Sequence, residues 1–173
     1  IAKSQEVVRV VPGLFIGQHA GGGKAEQIFL RGFDIDHGTD INITVDGLPV
    51  NMVSHAHGQG YADLHFVIPE LIDKVNFNKG PYFADKGNFA TAGYVDFRTK
   101  DFLDQNFVKA EAGQFNTFRT VMGVNLLPVA KNKPRSKSLY AAGELSYTDG
   151  YFDSPQAFNR INGMVKYHAP AGN

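Results

Sequence analysis

Apolar and polar residues alternate with period two in several short runs of this 173-residue chain, each bounded by glycine, proline or aspartate. Ile41-Asn42-Ile43-Thr44-Val45 alternates and is followed by Asp46-Gly47, which predicts a strand ending in a tight hairpin turn. Gln27-Ile28-Phe29-Leu30 predicts a short buried strand closed by Arg31-Gly32. Val75-Asn76-Phe77-Asn78 alternates ahead of Lys79-Gly80-Pro81, and Gly93 to Thr99 sets Val95 and Phe97 against Tyr94 and Asp96. Ser4 to Val11 predicts a helical turn stopped by Pro12-Gly13, and Pro69-Glu70-Leu71-Ile72 predicts another, because proline suits a first helical position. Gly17–Gly23, Asp34–Asp40 and the His-rich stretch Asn51–His65 read as loops.

The texture changes after about Lys100. Leu139, Ala141, Gly143, Leu145 and Tyr147 share one strand face, and Tyr140, Ala142, Glu144, Ser146 and Thr148 the other. Ile161, Gly163, Val165 and Tyr167 alternate likewise with Asn162, Met164, Lys166 and His168. Val108, Ala110 and Ala112 alternate with Lys109, Glu111 and Gly113, and a further apolar run spans Val121 to Leu127. This is about three strands' worth of pattern. A membrane barrel needs this alternation because one face meets lipid and the other a wet lumen, although a soluble half-buried sheet has it too. The basic stretch Lys131–Lys137 reads as a solvated hairpin tip.

Composition narrows the function classes. Hydrophobic residues at 43% and charged residues at 20% suit a folded chain and argue against disorder. A formal net charge of +0 leaves no footprint for nucleic acid or an anionic surface. The absence of cysteine removes disulfides, cysteine-ligated zinc and thiol catalysis together. No run approaches the ~18 apolar residues of a spanning helix. Ile1-Ala2-Lys3-Ser4-Gln5-Glu6 does not read as a signal peptide, although a mature chain would have lost one.

Four ordered segments carry a family resemblance. Val10-Val11-Pro12-Gly13-Leu14 resembles the "VPGV" after the first plug helix of TonB-dependent outer-membrane receptors. Ile28 to Phe33 resembles the plug's "IRGF", and Val45-Asp46-Gly47-Leu48-Pro49-Val50 resembles its "VDGVPV". Ile68-Pro69-Glu70, Val75 to Pro81 and Gly87 to Lys100 resemble "IP…IERIEVLRGP…YG…GGVINIVTK". The chain departs from the family pattern at Lys79, where an arginine is usual, and at Lys86-Gly87, where Tyr-Gly is usual.

The resemblance implies an α+β plug domain over residues 1–101, a small mixed sheet with short helices. It implies the first antiparallel strands of a transmembrane β-barrel over 102–173. It also implies a fragment, because the family's barrel has about twenty-two strands and works by closing. The implied function is TonB-dependent uptake of a scarce nutrient, most often a ferric siderophore or other metal chelate, across the bacterial outer membrane. The implied partners are TonB (through an N-terminal segment absent here), the cargo, outer-membrane lipid and the rest of the barrel. No cofactor, enzymatic activity or nucleic-acid partner is implied. By position against the motifs, the cargo-facing candidates are Arg31, Asn51, His55, His57, Gln59, Tyr82, Phe83 and Lys86, with cations pairing and aromatics stacking on an anionic chelate. Arg31, Asp46, Glu70 and Lys79 are candidates for ion pairs that fix the plug.

Other chemistry has weaker signatures. His55, His57 and His65 could approach a transition metal, since imidazole suits zinc, copper, iron and nickel. Asp34 to Asp40 has the alternating oxygens of a calcium loop but lacks the terminal glutamate. Gly21-Gly22-Gly23-Lys24 lacks the spacing and following Ser/Thr of a phosphate loop, and no hydrolase or zinc-protease motif is present. A soluble β-rich ligand-binding module and a His-based metal-binding protein are the alternative readings.

Overall fold

The computed structural model describes residues 4–19, 22–34, 40–56, 58–87, 89–128 and 137–170. Ser4–Val10 forms a 3-10 helix, and Gly13 at φ 81° turns the chain out of it. Strands β1 (Leu14–Gly17), β2 (Gln27–Leu30) and β3 (Phe33–Asp34) then make a three-stranded antiparallel sheet in that order. Arg31 and Gly32 both take positive φ, 56° and 85°, in the two-residue turn between β2 and β3. Strand β1 precedes the expected loop and was not legible as a strand. Its Leu14 and Ile16 are buried while Phe15 is exposed, but four residues give too short a run to read.

The second sheet has the order β5-β4-β9-β8, built from β4 (Ile41–Val45), β5 (Leu48–Pro49), β8 (Ile72–Lys79) and β9 (Gly93–Thr99). Strands β4 and β9 pair in parallel and the other neighbours antiparallel, so the sheet is mixed, as the family resemblance implied. One face carries Ile41, Ile43, Val95 and Phe97. They bury against Val7, Val8, Val11, Leu14, Ile16, Ile28, Leu30, Leu64 and Val67 in a single core. Burial of this kind stabilises by about 1.5–3 kcal/mol per large side chain. Asp46 and Gly47 form the predicted turn with φ 51° and 83°. The Asp46 carboxylate accepts the Thr99 amide at 2.9 Å and the Thr99 hydroxyl, locking the turn to the end of β9. Pro69–Leu71 and Ala84–Lys86 are single 3-10 turns.

The stretch expected to be loop from Asn51 to His65 contains a hairpin, β6 (Met52–His55) with β7 (Gly58–Tyr61). Met52, Val53 and Ser54 are all exposed, so no alternation marks β6 in the sequence; its pairing rests on the backbone. Asn51 leads into it. Its Oδ1 accepts the Ile43 amide at 2.7 Å and its Nδ2 donates to the Ile41 carbonyl at 2.8 Å, so a side chain continues the ladder that β5 begins. Asn51→Ala is therefore expected to cost about 2 kcal/mol in urea unfolding, because it strands two backbone groups of β4. A loss under about 0.5 kcal/mol would contradict this role.

The chain divides into two compact units, Ile1–Thr99 and Lys100–Asn173. The second is an antiparallel meander of four strands, β10 (Phe107–Gly113), β11 (Thr117–Asn125), β12 (Ser138–Thr148) and β13 (Phe158–His168), rather than the three the alternation suggested. The extra strand boundary falls at Phe115 and Asn116, which turn the chain with φ 57° and 52°. Phenylalanine rarely adopts that conformation, so the turn is marked in the sequence only by Asn116 and the nearby Gly113. Val108, Phe118, Met122, Val124, Leu145, Ile161, Val165 and Tyr167 are exposed on one face. Arg119, Val121, Tyr140, Ala142 and Glu144 are buried on the other. The lead-in segment is stapled to this second face. The Tyr140 hydroxyl donates to the Lys100 carbonyl at 3.0 Å, Ser138 Oγ to Asp101 at 2.5 Å and Asn125 Nδ2 to Leu103 at 2.8 Å. Among the described residues the four strands form an open sheet, not a closed barrel. The basic stretch 131–136 lies outside the described residues.

Candidate functional site

Three segments of the first unit converge where β4 and β9 begin and β8 ends. Gly93 sits level with both Ile41 and Lys79 across the sheet. The Gly80 amide donates to the Ala92 carbonyl at 2.7 Å, and the Ala92 amide donates to the Asp40 carbonyl at 2.8 Å. Asn51 binds the Ile41 carbonyl and so brings the β6–β7 hairpin off the same end. The parallel pairing of β4 with β9 is what gathers these loops, since it places both strand starts together.

On the sheet face opposite the core, this end carries a polar cluster. Thr44 Oγ1 donates to Asp96 Oδ1 at 2.8 Å, and Lys86 Nζ donates to Asp96 Oδ2 at 2.6 Å. The Lys86 ammonium also stands 4.4 Å from the centroid of the Tyr94 ring. Phe83 meets that ring edge-on at 5.3 Å, and Asn42 Nδ2 donates to the Lys86 carbonyl at 3.0 Å. Tyr82, at 81% exposure, projects outward with its ring beside Gly80. The loop 81–87 is thus fixed to the sheet and presents an aromatic tip.

The hydrogen bond that Lys86 donates to Asp96 holds its ammonium above the ordinary pKa of 10.5, outweighing partial desolvation, with the charges of Asp96 and Asp85 adding. A raised lysine contributes stability at every pH below its ordinary value and loses it as pH climbs through the folded value. The stability gap between the native chain and Lys86→Met should therefore stay constant from neutral pH to about pH 10 and shrink above it. Alkaline unfolding curves of the two forms check this.

The structure places the sequence-derived candidates unevenly. Tyr82, Phe83 and Lys86 share the 81–87 loop, with Phe83 and Lys86 both on Tyr94. The side chain of Asn51 is engaged with the β4 backbone. His55 stacks on Tyr61 with ring centroids 4.2 Å apart, and the Tyr61 hydroxyl accepts the Ala25 amide. Gln59 pairs with Ser54 across the hairpin, and His57 lies outside the described residues. Arg31 is exposed in the turn of the other sheet. Thr44, Tyr94, Asp96 and Asn42 were missed, although the phase of β9 already set Tyr94 and Asp96 off the core face.

His65 Nδ1 lies 2.7 Å from Asp63 Oδ1. Among the described residues no group of three or more His, Cys, Asp or Glu is placed to hold a metal ion. Asp34 accepts from Gln27 at 2.6 Å, and the rest of the calcium-like stretch, 35–39, lies outside the described residues. Among the described residues, no helix is long and apolar enough to cross a membrane, which leaves crossing by strands open.

The first unit thus carries a small mixed sheet with its loops gathered at one end, and the second is a four-stranded antiparallel sheet with one exposed apolar face. The TonB-dependent Receptor Plug Domain family model matches residues 2–94, and the chain belongs to this family. Among solved structures, the copper transporter OprC superposes with a TM-score of 0.69 at 22% identity, over 96% of this chain and 26% of that one. The pyoverdine outer membrane receptor FpvA from Pseudomonas aeruginosa PAO1 gives 0.56 at 18% identity, over 86% of this chain and 20% of that one. The siderophore receptor PirA from Pseudomonas aeruginosa gives 0.55 at 21% identity, over 98% and 29%. At these identities the likeness carries the fold, and the chain spans between a fifth and a third of the length of each.

Proposed function

We propose that residues 1–101 are the plug and residues 102–173 the first wall strands of a transporter that takes up a ferric siderophore or other metal chelate across the bacterial outer membrane, driven by TonB. The main support is the family match over residues 2–94. It is joined by named receptors for siderophores and a copper transporter of the same fold. In this reading the wall closes with strands from the rest of the receptor, since an open sheet edge cannot stand in lipid. The plug blocks a pore too wide to leave open and meets cargo at its convergent end. TonB engages a segment ahead of the plug's first helix and rearranges the plug. The chain's own work is recognition and gating, without covalent chemistry.

The deciding experiment deletes the complete receptor from its host and follows accumulation of radiolabelled iron and copper chelates, with and without TonB. Deletion is expected to abolish uptake of at least one chelate where TonB is present and to change nothing where TonB is absent. Accumulation unchanged for every chelate would overturn the reading. The wall assignment has its own check. Leu145, on the exposed apolar face between Thr120 and Ile161, should meet lipid. Leu145→Arg in the complete receptor is expected to lower folding stability in lipid vesicles by about 2 kcal/mol, whereas Ser146→Arg on the opposite face should not show the same dependence on bilayer thickness.

A further inference from the structure

Positive charge at the convergent end is already committed within the plug. Lys86 Nζ lies 2.6 Å from Asp96 and 3.7 Å from Asp85, so one ammonium faces two carboxylates. The Asp96 side chain is only 14% exposed. Drawing Lys86 away toward an incoming anion would leave that carboxylate largely buried without its cation, which costs more than a solvent-exposed ion pair returns. Lys79, at the end of β8, is in phase with Val75 and Phe77 and brings its Nζ to Gly13, on the other side of the sheet from Tyr94 and Asp96. Among the described residues of the 81–87 loop, what remains outward is aromatic surface at Tyr82 and a carboxylate at Asp85, whose side chain is 74% exposed.

We propose that this end of the plug receives an uncharged or cationic face of the cargo, stacked on Tyr82, and discriminates against strongly anionic chelates. The proposal rests on the uptake reading above and narrows its substrate class. An aromatic face stacks neutral planes and attracts cations through its quadrupole. An anion meets Asp85 there, with Lys86 already neutralised. This reverses the role that the sequence suggested for Lys86 as a partner for an anionic chelate. Each unit of anionic charge near one exposed carboxylate weakens binding a few-fold, so a multiply charged chelate is disfavoured about tenfold or more.

The test uses the complete receptor at low ionic strength with two probes, a neutral ferric tris-hydroxamate and a strongly anionic ferric tris-catecholate. The native receptor should bind the hydroxamate at least about tenfold more tightly. Asp85→Asn should narrow that gap several-fold by tightening the catecholate alone, and Tyr82→Ala should weaken the hydroxamate. Equal or tighter catecholate binding by the native receptor, or a gap unmoved by Asp85→Asn, overturns the proposal and leaves the uptake reading standing. If neither probe binds, the proposal is overturned as well, and the cellular uptake assay decides whether the uptake reading falls with it.

Discussion

Replacing Gly93 by alanine is expected to destabilise the plug by about 3 kcal/mol or more, the largest effect of any single methyl group added to it. Two independent costs meet there. The backbone has φ 150°, a conformation that residues with a side chain rarely adopt. A Cβ would also sit well inside contact distance of the Asn78 carbonyl oxygen and 3.1 Å from Lys79 Cα, both backbone atoms of the neighbouring strand that cannot swing aside. Relief would require β8 and β9 to part at the Lys79–Gly93 step, next to the hydrogen bonds that tie Gly80 to Ala92 and Ala92 to Asp40. Gly87 provides the control. Its φ of 72° with ψ −162° is a backbone conformation nearly reserved to glycine, but nothing lies within 4 Å of an added Cβ, so Gly87→Ala should carry the backbone strain without the collision, about 1–3 kcal/mol. Urea unfolding of the plug within the complete receptor, read by protease susceptibility, separates the two. A Gly93→Ala loss no larger than that of Gly87→Ala would mean that the β8–β9 register is not as described.

The same strand shows where sequence reading succeeds and where it stops. β2, β4 and β9 fell on the residues that alternation marked, because each is half-buried, and β2 and β4 are closed by Arg31-Gly32 and Asp46-Gly47. The plug fold was legible because those segments also stood in a recognisable order. The β6–β7 hairpin was not, since Met52, Val53 and Ser54 of β6 are all exposed and period two leaves no trace in hydrophobicity there. The polar cluster was hidden for a different reason. Thr44 and Asp96 are 52 residues apart, and only the parallel pairing of β4 with β9 brings them to 2.8 Å. Lys86 stood in the sequence as a candidate cargo contact at a loop tip. Its actual state follows from Asp96, whose position no local pattern supplies. Asn51 teaches the same lesson, since its amide serves backbone groups eight and ten residues earlier.

In the second unit the largest effect is expected at Glu144, whose replacement by glutamine should cost about 3 kcal/mol or more. Its side chain is 0% exposed and is the hub of a network that reaches all four strands. Glu144 Oε1 accepts from Arg119 Nε at 2.6 Å and from Arg160 at 2.9 Å, and Oε2 accepts from Asn162 Nδ2 at 2.7 Å. Arg119 also donates to Glu111 at 2.7 Å, and Glu111 lies 2.9 Å from Lys109. Glutamine preserves the shape, and its amide group can face a flipped Asn162, but it removes the charge that two largely buried guanidinium groups share. Arg119 keeps its pairing with Glu111, but both guanidinium groups are largely buried and lose the carboxylate they share. The argument yields a second, opposite expectation. Removing the arginines together with the acid, as Arg119→Met, Glu144→Leu and Arg160→Met, leaves Lys109 and Glu111 balanced and strands no buried charge. That triple variant should therefore be less destabilised than Glu144→Gln alone. The complete receptor refolded into lipid vesicles, with urea midpoints followed by heat-modifiable gel mobility, distinguishes the two. A triple variant at least as unstable as the single one would show that the network supplies net stabilisation, beyond the penalty of an unpaired charge.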